Sequence, residues 1–577
     1  MTILTASPSW DDVRQLETTD RALGGAGGVM NQQAQALLNR SELLRRQQAT
    51  PVLGAAGDGV TDDTGAIQAA INSCSAGAVF IPAGNYKLSR ELTITNPLVT
   101  IVGAGIDATI LRQADGAANG LNFDYPILFG HPTGGGVCDI TIESGAGLAT
   151  SKFFGSGSTG AAIRLKNASD NFAVRRVSLN NFARGAYLIY CWNTRWSDLR
   201  VLCFATSGIE IDLDGSNIGG SNSFTASKIS NNGFSGVNTA SAGIRILASG
   251  GELFDNIDVT STNNGVLVAP ASGSQQVLYL FFNQVLADTC LASGWEVNGE
   301  TAPVQSINMA DCWGAYNGGH GLYVHGPQVD SIRWVGGRLR QNQMHGAFVS
   351  SSARNVAFNS AEVASNSRTN GNTYHGLRFE GGANNWQVLG SRIGNYAPSS
   401  GTQGYGVSIG SDSGLNFTIA DNDLTGNSTS GVQLGVVASN AKITGNLPLL
   451  PATNASDALA MYAVSLGTVA AGATVYLGPA GQYSTLAAAP FVVPRNGVGQ
   501  TMYVKTANPP GIGQTFTYTL FKQAATTGLT FTISDSAQNG QVSLSSLNIN
   551  ATDALEIKIV TSAGAAVTTH RGFITVE

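Results

Sequence analysis

The central part of the chain repeats one arrangement of apolar and polar positions. A glycine is followed by a short alternation at Gly185-AYLI, Gly208-IEID, Gly243-IRIL, Gly265-VLVA, Gly294-WEVN, Gly321-LYVH, Gly346-AFVS, Gly376-LRFE, Gly406-VSIG and Gly431-VQLG. The spacings are 23, 35, 22, 29, 27, 25, 30, 30 and 25 residues. A constant strand with an uneven period disfavours rigid helical repeats and suits stacked coils whose loops absorb insertions. A second apolar alternation precedes the later glycines, at Ile307, Ile332, Val356, Trp386 and Phe417, so each turn has at least two strands. The pattern predicts a parallel β-helix with strands about 4.8 Å apart. A propeller is the competing reading, but its blades would show four strands and more uniform periods.

The flanks have other patterns. Leu16, Leu23, Met30, Leu37 and Leu44 are seven apart, and Met30 to Arg46 reads as a helix with Ala34 and Ser41 at the intervening positions. It is either an oligomeric neck or an amphipathic helix docked on the body. The glycines of Gly24 to Gly28 break any helix before it. GDGVTDD (57–63) reads as a turn-rich polar run, TGAIQAAINS (64–73) as a small amphipathic helix capped by the preceding aspartates and threonine, and AVFIPAGNYKLS (78–89) as strand, turn, strand. Such a helix is a suitable lid for the open end of a stacked sheet. From about residue 455 the repeat ends; TFTYTLFKQ, LTFTISD and LEIKIVTS alternate between turn residues and predict an antiparallel β-sandwich. The organisation is then an N-terminal neck segment over 1–50, a cap and first turns over 51–150, the main β-helix over 151–450 and the sandwich over 455–577.

Composition narrows the class. Of 577 residues 72 are glycine, only 12% are charged and 43% are apolar. Ample apolar content with little charge argues against disorder, and glycine without a three-residue period excludes collagen. A net charge of −6 disfavours a nucleic-acid partner, and there is no long apolar run to insert into a membrane. The N-terminus has no basic region followed by an apolar core, so no secretory signal is read there. Cys74, Cys138, Cys191, Cys203, Cys290 and Cys312 are scattered, without a C-x-x-C pair, and are expected as buried thiols of a chain made in a reducing compartment.

The run VLGAAGDGVTDDTGAIQAAINS with AVFIPAGNYKLS resembles the opening of the pectate-lyase-like β-helix superfamily. DDVRQLETTDRALGG with NQQAQALLNRSELLRR resembles the neck of bacteriophage tailspikes and tail fibres, and the order neck, β-helix, small β domain is similar to phage tailspike depolymerases. The resemblance covers most of the chain and is strongest over the first 90 residues. It implies a right-handed helix and a homotrimer. It also implies a virion component, attached to a phage tail or baseplate protein through its N-terminus, that binds and cleaves a bacterial surface polysaccharide at the host cell surface. For the C-terminal domain, trimer assembly and carbohydrate binding both stay open.

Chemistry must come from sites rather than fold. In each glycine unit the residue after glycine points inward and the second and fourth point outward. The outward column reads Tyr187; Glu210 and Asp212; Arg245 and Leu247; Leu267; Glu296 and Asn298; Tyr323 and His325; Phe348; Arg378 and Glu380; Ser408. Carboxylates, arginines and aromatics on one face suit a sugar chain; a merely solvated wall is the bland alternative. The second strand offers another column with Trp313, Arg338, Glu362, Arg392 and Asp423, which faces either a groove or a neighbouring chain. Trp295 is expected in the core and Trp313 as a sugar platform. Glycoside hydrolysis needs two carboxyl groups. Glu210 and Asp212 are the first choice, Glu296 the next, and Glu362 and Glu380 follow. Arg245, Trp313, Tyr323, His325 and Arg378 are expected to hold substrate. A lyase needs a His or Tyr base and a cation, which His325, Tyr323 and Arg245 or Arg378 supply; hydrolase ranks ahead of lyase, and a non-catalytic receptor-binding spike remains possible. No cofactor is read, and no aspartate cluster like the calcium site of pectate lyases. His320, His345 and His375 each precede a repeat glycine and are expected to stack as a corner ladder. Gly319 to Gly321 match one element of the polygalacturonase pattern, without its companions.

Overall fold

The computed structural model describes residues 9–10, 12–13, 15–17, 19–20, 28–47, 50–51, 54–126, 134–145, 159–231, 241–396, 402–413, 416–435, 440–447, 459–464, 467–478, 481–486, 490–493, 497–544, 547–550 and 552–576. The chain forms two compact units, Met1–Ser241 and Ala242–Glu577. Its solenoid is a right-handed parallel β-helix of the pectate-lyase type.

In the first unit a helix spans Val29–Gln47, as the heptad spacing predicts. Met30, Ala34, Leu37 and Ser41 are exposed, whereas Ala36 and Asn39 are buried. The heptad stripe is therefore not the face that docks on this chain. Leu23, most of the glycine run and the side chain of Leu44 lie outside the described residues. The polar run expected as a turn is instead a strand, Asp58–Asp62, laid against Gly84–Leu88. Asp58 makes this possible by accepting the N–H groups of Val60 and Thr61 at 2.8 Å each, bonds that depress its pKa. The helix Thr64–Ser73 buries Ile67, Ala70 and Ile71. Asp63 occupies its N-cap position without capping it. Its carboxylate instead accepts the N–H groups of Ala56 (2.6 Å) and Gly57 (3.1 Å), while Asp62 accepts that of Thr64 at 3.1 Å. Parallel strands then stack in two columns. One holds Leu121–Asp124, Ala161–Lys166, Arg184–Ile189 and Ser207–Asp212, the other Gly136–Ser144, Ala173–Asn180, Arg195–Leu202 and Asn222–Ser230.

In the second unit the middle turns have three strands, where the repeat required at least two. The first column contains Trp295–Asn298, Leu322–His325, Ala347–Val349 and Leu377–Phe379. The second contains Val304–Ala310, Val329–Val335, Arg354–Asn359 and Trp386–Leu389. The third contains Trp313–Ala315, Arg338–Arg340, Glu362–Ala364 and Arg392–Gly394. The corner between second and third strands begins with a residue of positive φ, Asp311, Gly336, Ser360, Gly390 or Asp421, at 50 to 66°, and Gly337 adds a second at 63°. Only glycine and short polar residues enter that region cheaply, which accounts for much of the composition.

The repeat glycine has a different cause. A Cβ on Gly346 would sit 2.6 Å from the carbonyl oxygen of Gly376, and one on Gly376 would sit 2.6 Å from that of Gly406. Successive turns approach too closely there for any side chain. Beside this seam a buried amide ladder joins the turns. Asn317 donates to Asn342 at 2.9 Å, Asn342 to Asn366 at 2.9 Å, Asn366 to Gln403 at 3.1 Å and Gln403 to Asn427 at 2.8 Å. The interior is apolar; Trp295 lies in it as expected, and Phe379, Trp386 and Phe417 stack at 3.7 and 4.4 Å. All six cysteines are buried and free.

The C-terminal region consists of two antiparallel sheets consistent with the expected sandwich. One carries Leu459–Val464, His570–Val576, Gly497–Thr506 and Asn539–Ser543; the other carries Thr474–Gly478, Ala554–Thr561, Gly511–Lys522 and Ala525–Asp535. Leu477, Met502, Phe516, Tyr518, Ile557 and Ile574 form their core.

Replacing Asn342 with Ala removes its amide bonds to Asn317, Asn366 and the Gly314 carbonyl from the interior, while Asn317 and Asn366 keep their other partners. A loss of about 2–4 kcal/mol is expected, read as a lower denaturant midpoint. An unchanged midpoint would show that the ladder carries no stability.

Candidate functional site

The first strands of the second unit align the outward column as the repeat predicts. Arg245, Leu267, Glu296, Tyr323, Phe348, Arg378, Ser408 and Gln433 are successive register partners. Neighbours are therefore about one strand spacing, ~4.8 Å, apart. The register follows from the inward residue of each unit, since Val266, Trp295, Leu322, Ala347, Leu377 and Val407 are all buried. Ser408 is buried, and the other six residues from Arg245 to Arg378 and Gln433 are half-buried.

Chemistry concentrates at Glu296, Tyr323 and His325. His325 is fixed between two carboxylates, with Nε2 at 3.2 Å from Glu296 and Nδ1 at 3.3 Å from Glu300. The Tyr323 ring stacks on His325 at 4.2 Å and on Phe348 at 5.2 Å. The Asn264 amide donates to the second oxygen of Glu296 at 2.5 Å. Glu300 and Asn264 were not among the expected site residues. A signal for Asn264 was present, since it precedes a repeat glycine as His320, His345 and His375 do. Glu300 lies beyond its strand, where the repeat carries no register.

Arg378 stands two rungs above Tyr323. Its guanidinium is held by Glu380, at 2.9 and 2.6 Å, and by the Ser408 hydroxyl at 2.5 Å. Glu380 thus orients the cation. The third-strand column is also in register: Trp313, Arg338, Glu362, Arg392 and Asp423 follow one another. Arg338 lies 5.0 Å over the Trp313 ring, so one face of the expected sugar platform is covered. Glu362 faces Arg338 at 3.5 Å and Arg340 at 3.9 Å. This column lies on different strands, so the structure does not bring Trp313 or Glu362 to Glu296.

The first-choice pair lies in the first unit. Glu210 and Asp212 share the strand Ser207–Asp212, as expected. Glu210, however, is only 1% exposed; one oxygen takes Arg184 at 2.8 Å and the other the Ser207 hydroxyl at 2.9 Å. Both oxygens are engaged inside the wall, which is the environment of a structural ion pair rather than of a group awaiting substrate. Asp212 is within 3.4 Å of the Tyr187 hydroxyl, whose pKa is pushed up to about 12 by burial, with Asp212 and Glu210 adding to it.

The expected histidine ladder forms: His320 stacks on His345 at 5.4 Å, and the His375 ring lies 5.1 Å from that of His345, tilted by 46°. The Nδ1 of His345 accepts the His375 N–H at 2.9 Å. Burial lowers all three pKa values, that of His320 to about 4 against the opposing pull of Glu296, and that of His375 to about 4 with Arg378 adding to the effect. The ladder is neutral where His325 is flanked by carboxylates. Among the described residues no group of three or more His, Cys, Asp or Glu side chains is arranged to hold a metal ion.

Residues 52–131 match a family described as "Rhamnogalacturonase A/epimerase, pectate lyase-like". "Mannuronan C5-epimerase AlgE1" of Azotobacter vinelandii is 40% identical over 101 residues, which are 16% of this chain and 7% of that protein. "Alginate lyase 7" of the same organism is 34% identical over 145 residues, 23% of this chain and 17% of that protein. The solved A-module of Azotobacter vinelandii mannuronan C-5 epimerase AlgE4 superposes with a TM-score of 0.46 at 16% identity, over 68% of this chain and 100% of that one. The chain spans 18% or less of the length of the curated relatives it matches. Those relatives are named as epimerases or a lyase, and none as a glycosidase. That overturns the expected ranking of hydrolase ahead of lyase.

The ladder gives a pH dependence of definite sign. Unfolded histidines take up protons below their ordinary pKa of 6.5, while His320 and His375 hold out to about 4. Stability is thus lost as pH falls through that window, and His570 in the C-terminal sheets, also lowered to about 4 by burial, acts in the same direction. The melting temperature should drop across it, and less so in a His320→Gln variant. A pH-independent melting temperature would contradict the buried neutral ladder.

Proposed function

We propose that the chain acts on a uronate-containing polysaccharide by removing the proton on C5, the carbon that bears the carboxylate. The observation that carries this reading is the assembly of Glu296, Tyr323 and His325 in one outward column that also holds Arg378. A sugar chain laid along the column meets a phenol and an imidazole at adjacent positions. In this reading Tyr323, with His325 stacked beside it, takes the C5 proton as the base and the electron pair passes into the sugar carboxylate. Arg378, oriented by Glu380, receives a carboxylate of a neighbouring sugar, and Arg245 does the same two rungs below Glu296. If the C4–O bond then breaks, His325 protonates the departing oxygen and a C4=C5 double bond remains: a lyase. If a proton returns to the opposite face of C5, the product is the epimer. The similarity to proteins named as mannuronan epimerases and an alginate lyase supports this class of chemistry.

The setting we infer is that of a phage tailspike binding a bacterial surface polysaccharide. The N-terminal resemblance supports it, and so does the apolar stripe of Met30 and Leu37, which stays exposed on the chain's own helix and suits a homotrimeric neck. Removing residues 1–47 should then lower the number of chains per particle measured by sedimentation. An unchanged number would refute the neck.

The chemistry is tested by incubation with polymannuronate and with uronate-containing capsules in heavy water. Both lyase and epimerase place deuterium at C5 or form unsaturated ends; a hydrolase does neither. Tyr323→Phe and His325→Asn should each lower the rate about 10²–10⁴-fold with unchanged melting temperature. New reducing ends without exchange or unsaturation, or full activity in both variants, would overturn the assignment.

A further inference from the structure

The second strands of the second unit carry an outward column that the proposed chemistry does not use. Its register partners are Leu253, Phe281, Asn308, Arg333, Ala357, Gln387 and Thr418. At one end Leu253, Tyr279 and Phe281 are 43, 55 and 49% exposed, an unusual grouping of large apolar side chains on adjacent strands. Beyond Asn308 the column enters a cavity of about 450 Å³ lined by Arg333, Asn355, Asn385, Gln387, Asn416 and Thr418. The recess exists because the rung between Arg333 and Gln387 holds only Ala357.

Three properties define the ligand. First, beside Val356, Ala357, Trp386 and Phe417, the polar side chains of the lining are amides, a hydroxyl and one guanidinium, without a carboxylate. Second, Arg333 is exposed and forms no ion pair among the described residues, whereas Arg338, Arg354, Arg378 and Arg392 each face a carboxylate. The nearby Asp330 is occupied by Arg354 at 2.7 Å and by the Asn355 amide at 2.7 Å. Third, the apolar end offers flat surface in line with the polar recess. Amides and a hydroxyl pair with sugar hydroxyls, the Phe281 and Tyr279 rings take an apolar sugar face, and an uncompensated guanidinium selects a negative charge.

We propose that this column is a second glycan-binding track, which holds an acidic oligosaccharide through Arg333 and does no chemistry on it, because no acid or base lines it. It lies on different strands from Glu296 and Tyr323. The choice of an acidic sugar agrees with the proposed function, but the track stands on its own geometry. It would tether a polymer while another stretch of it, or another chain, occupies the first-strand column.

The test uses the full chain carrying His325→Asn, so that the probe is not consumed, and titrates it with size-fractionated oligomannuronate. Adding Arg333→Gln should weaken binding about tenfold or more, the effect of losing a charge-assisted contact. Phe281→Ala should weaken it too, and the loss with Arg333→Gln should be absent for a neutral oligosaccharide of equal length. Wild-type-like affinity in both variants, or no binding of the probe by the parent, would overturn the proposal. A change of sedimenting mass in Phe281→Ala would also overturn it, marking the face as a contact between copies of the chain. A wild-type chain that never exchanges C5 protons would sink the proposed chemistry, and loss of binding on Arg333→Gln would still leave the track standing.

Discussion

Hydrogen bonding of each turn to the next, in unshifted register, is the constraint on which the rest of this structure depends. A side chain acquires its neighbours by rung and not by sequence distance, so residues some 25 to 30 positions apart meet at one strand spacing. That rule builds the outward column, the amide ladder and the histidine ladder from the same geometry. The closeness of turns at the repeat glycines keeps it strict. With a Cβ there only 2.6 Å from a carbonyl oxygen, no turn can tilt to accommodate a side chain.

Because register is rigid, much of the architecture was legible in the sequence. The glycine and the apolar residue after it identify an inward position, and every outward residue follows by alternation. Arg245 through Ser408 fell in order, as did the three histidines; Trp313 through Asp423 also align, but on a third strand rather than on the second, where alternation placed them. Legibility ended where side chains reach out of their own rung. Glu210 points outward, yet Arg184 and Ser207 close over it and make it part of the wall. Glu300 enters the candidate site from beyond a strand end, where alternation says nothing. The polar run Asp58–Asp62 became a strand because one carboxylate satisfies its N–H groups locally, a choice that propensity does not encode.

The same geometry separates two kinds of charged residue in a chain with few of them. Most arginines are neutralised by a carboxylate close at hand, commonly one rung away, as Arg392 is by Asp423 at 3.5 Å. Such pairs on a half-exposed wall contribute little energy but fix orientation. His325 is instead flanked by two carboxylates, Glu296 and Glu300, and Arg333 forms no ion pair among the described residues. Departures from the pairing rule therefore indicate function more clearly than the charges themselves.

The glycine seam also bears on how such a chain fails. A side chain inserted there collides with backbone that is already hydrogen-bonded on both sides, so no rotamer change relieves it. The turns must part, and a parted pair presents two raw strand edges, each a template for another chain. In a solenoid the cost of one added methyl group at the seam is then paid as aggregation during assembly, while loops a few residues away accept whole insertions.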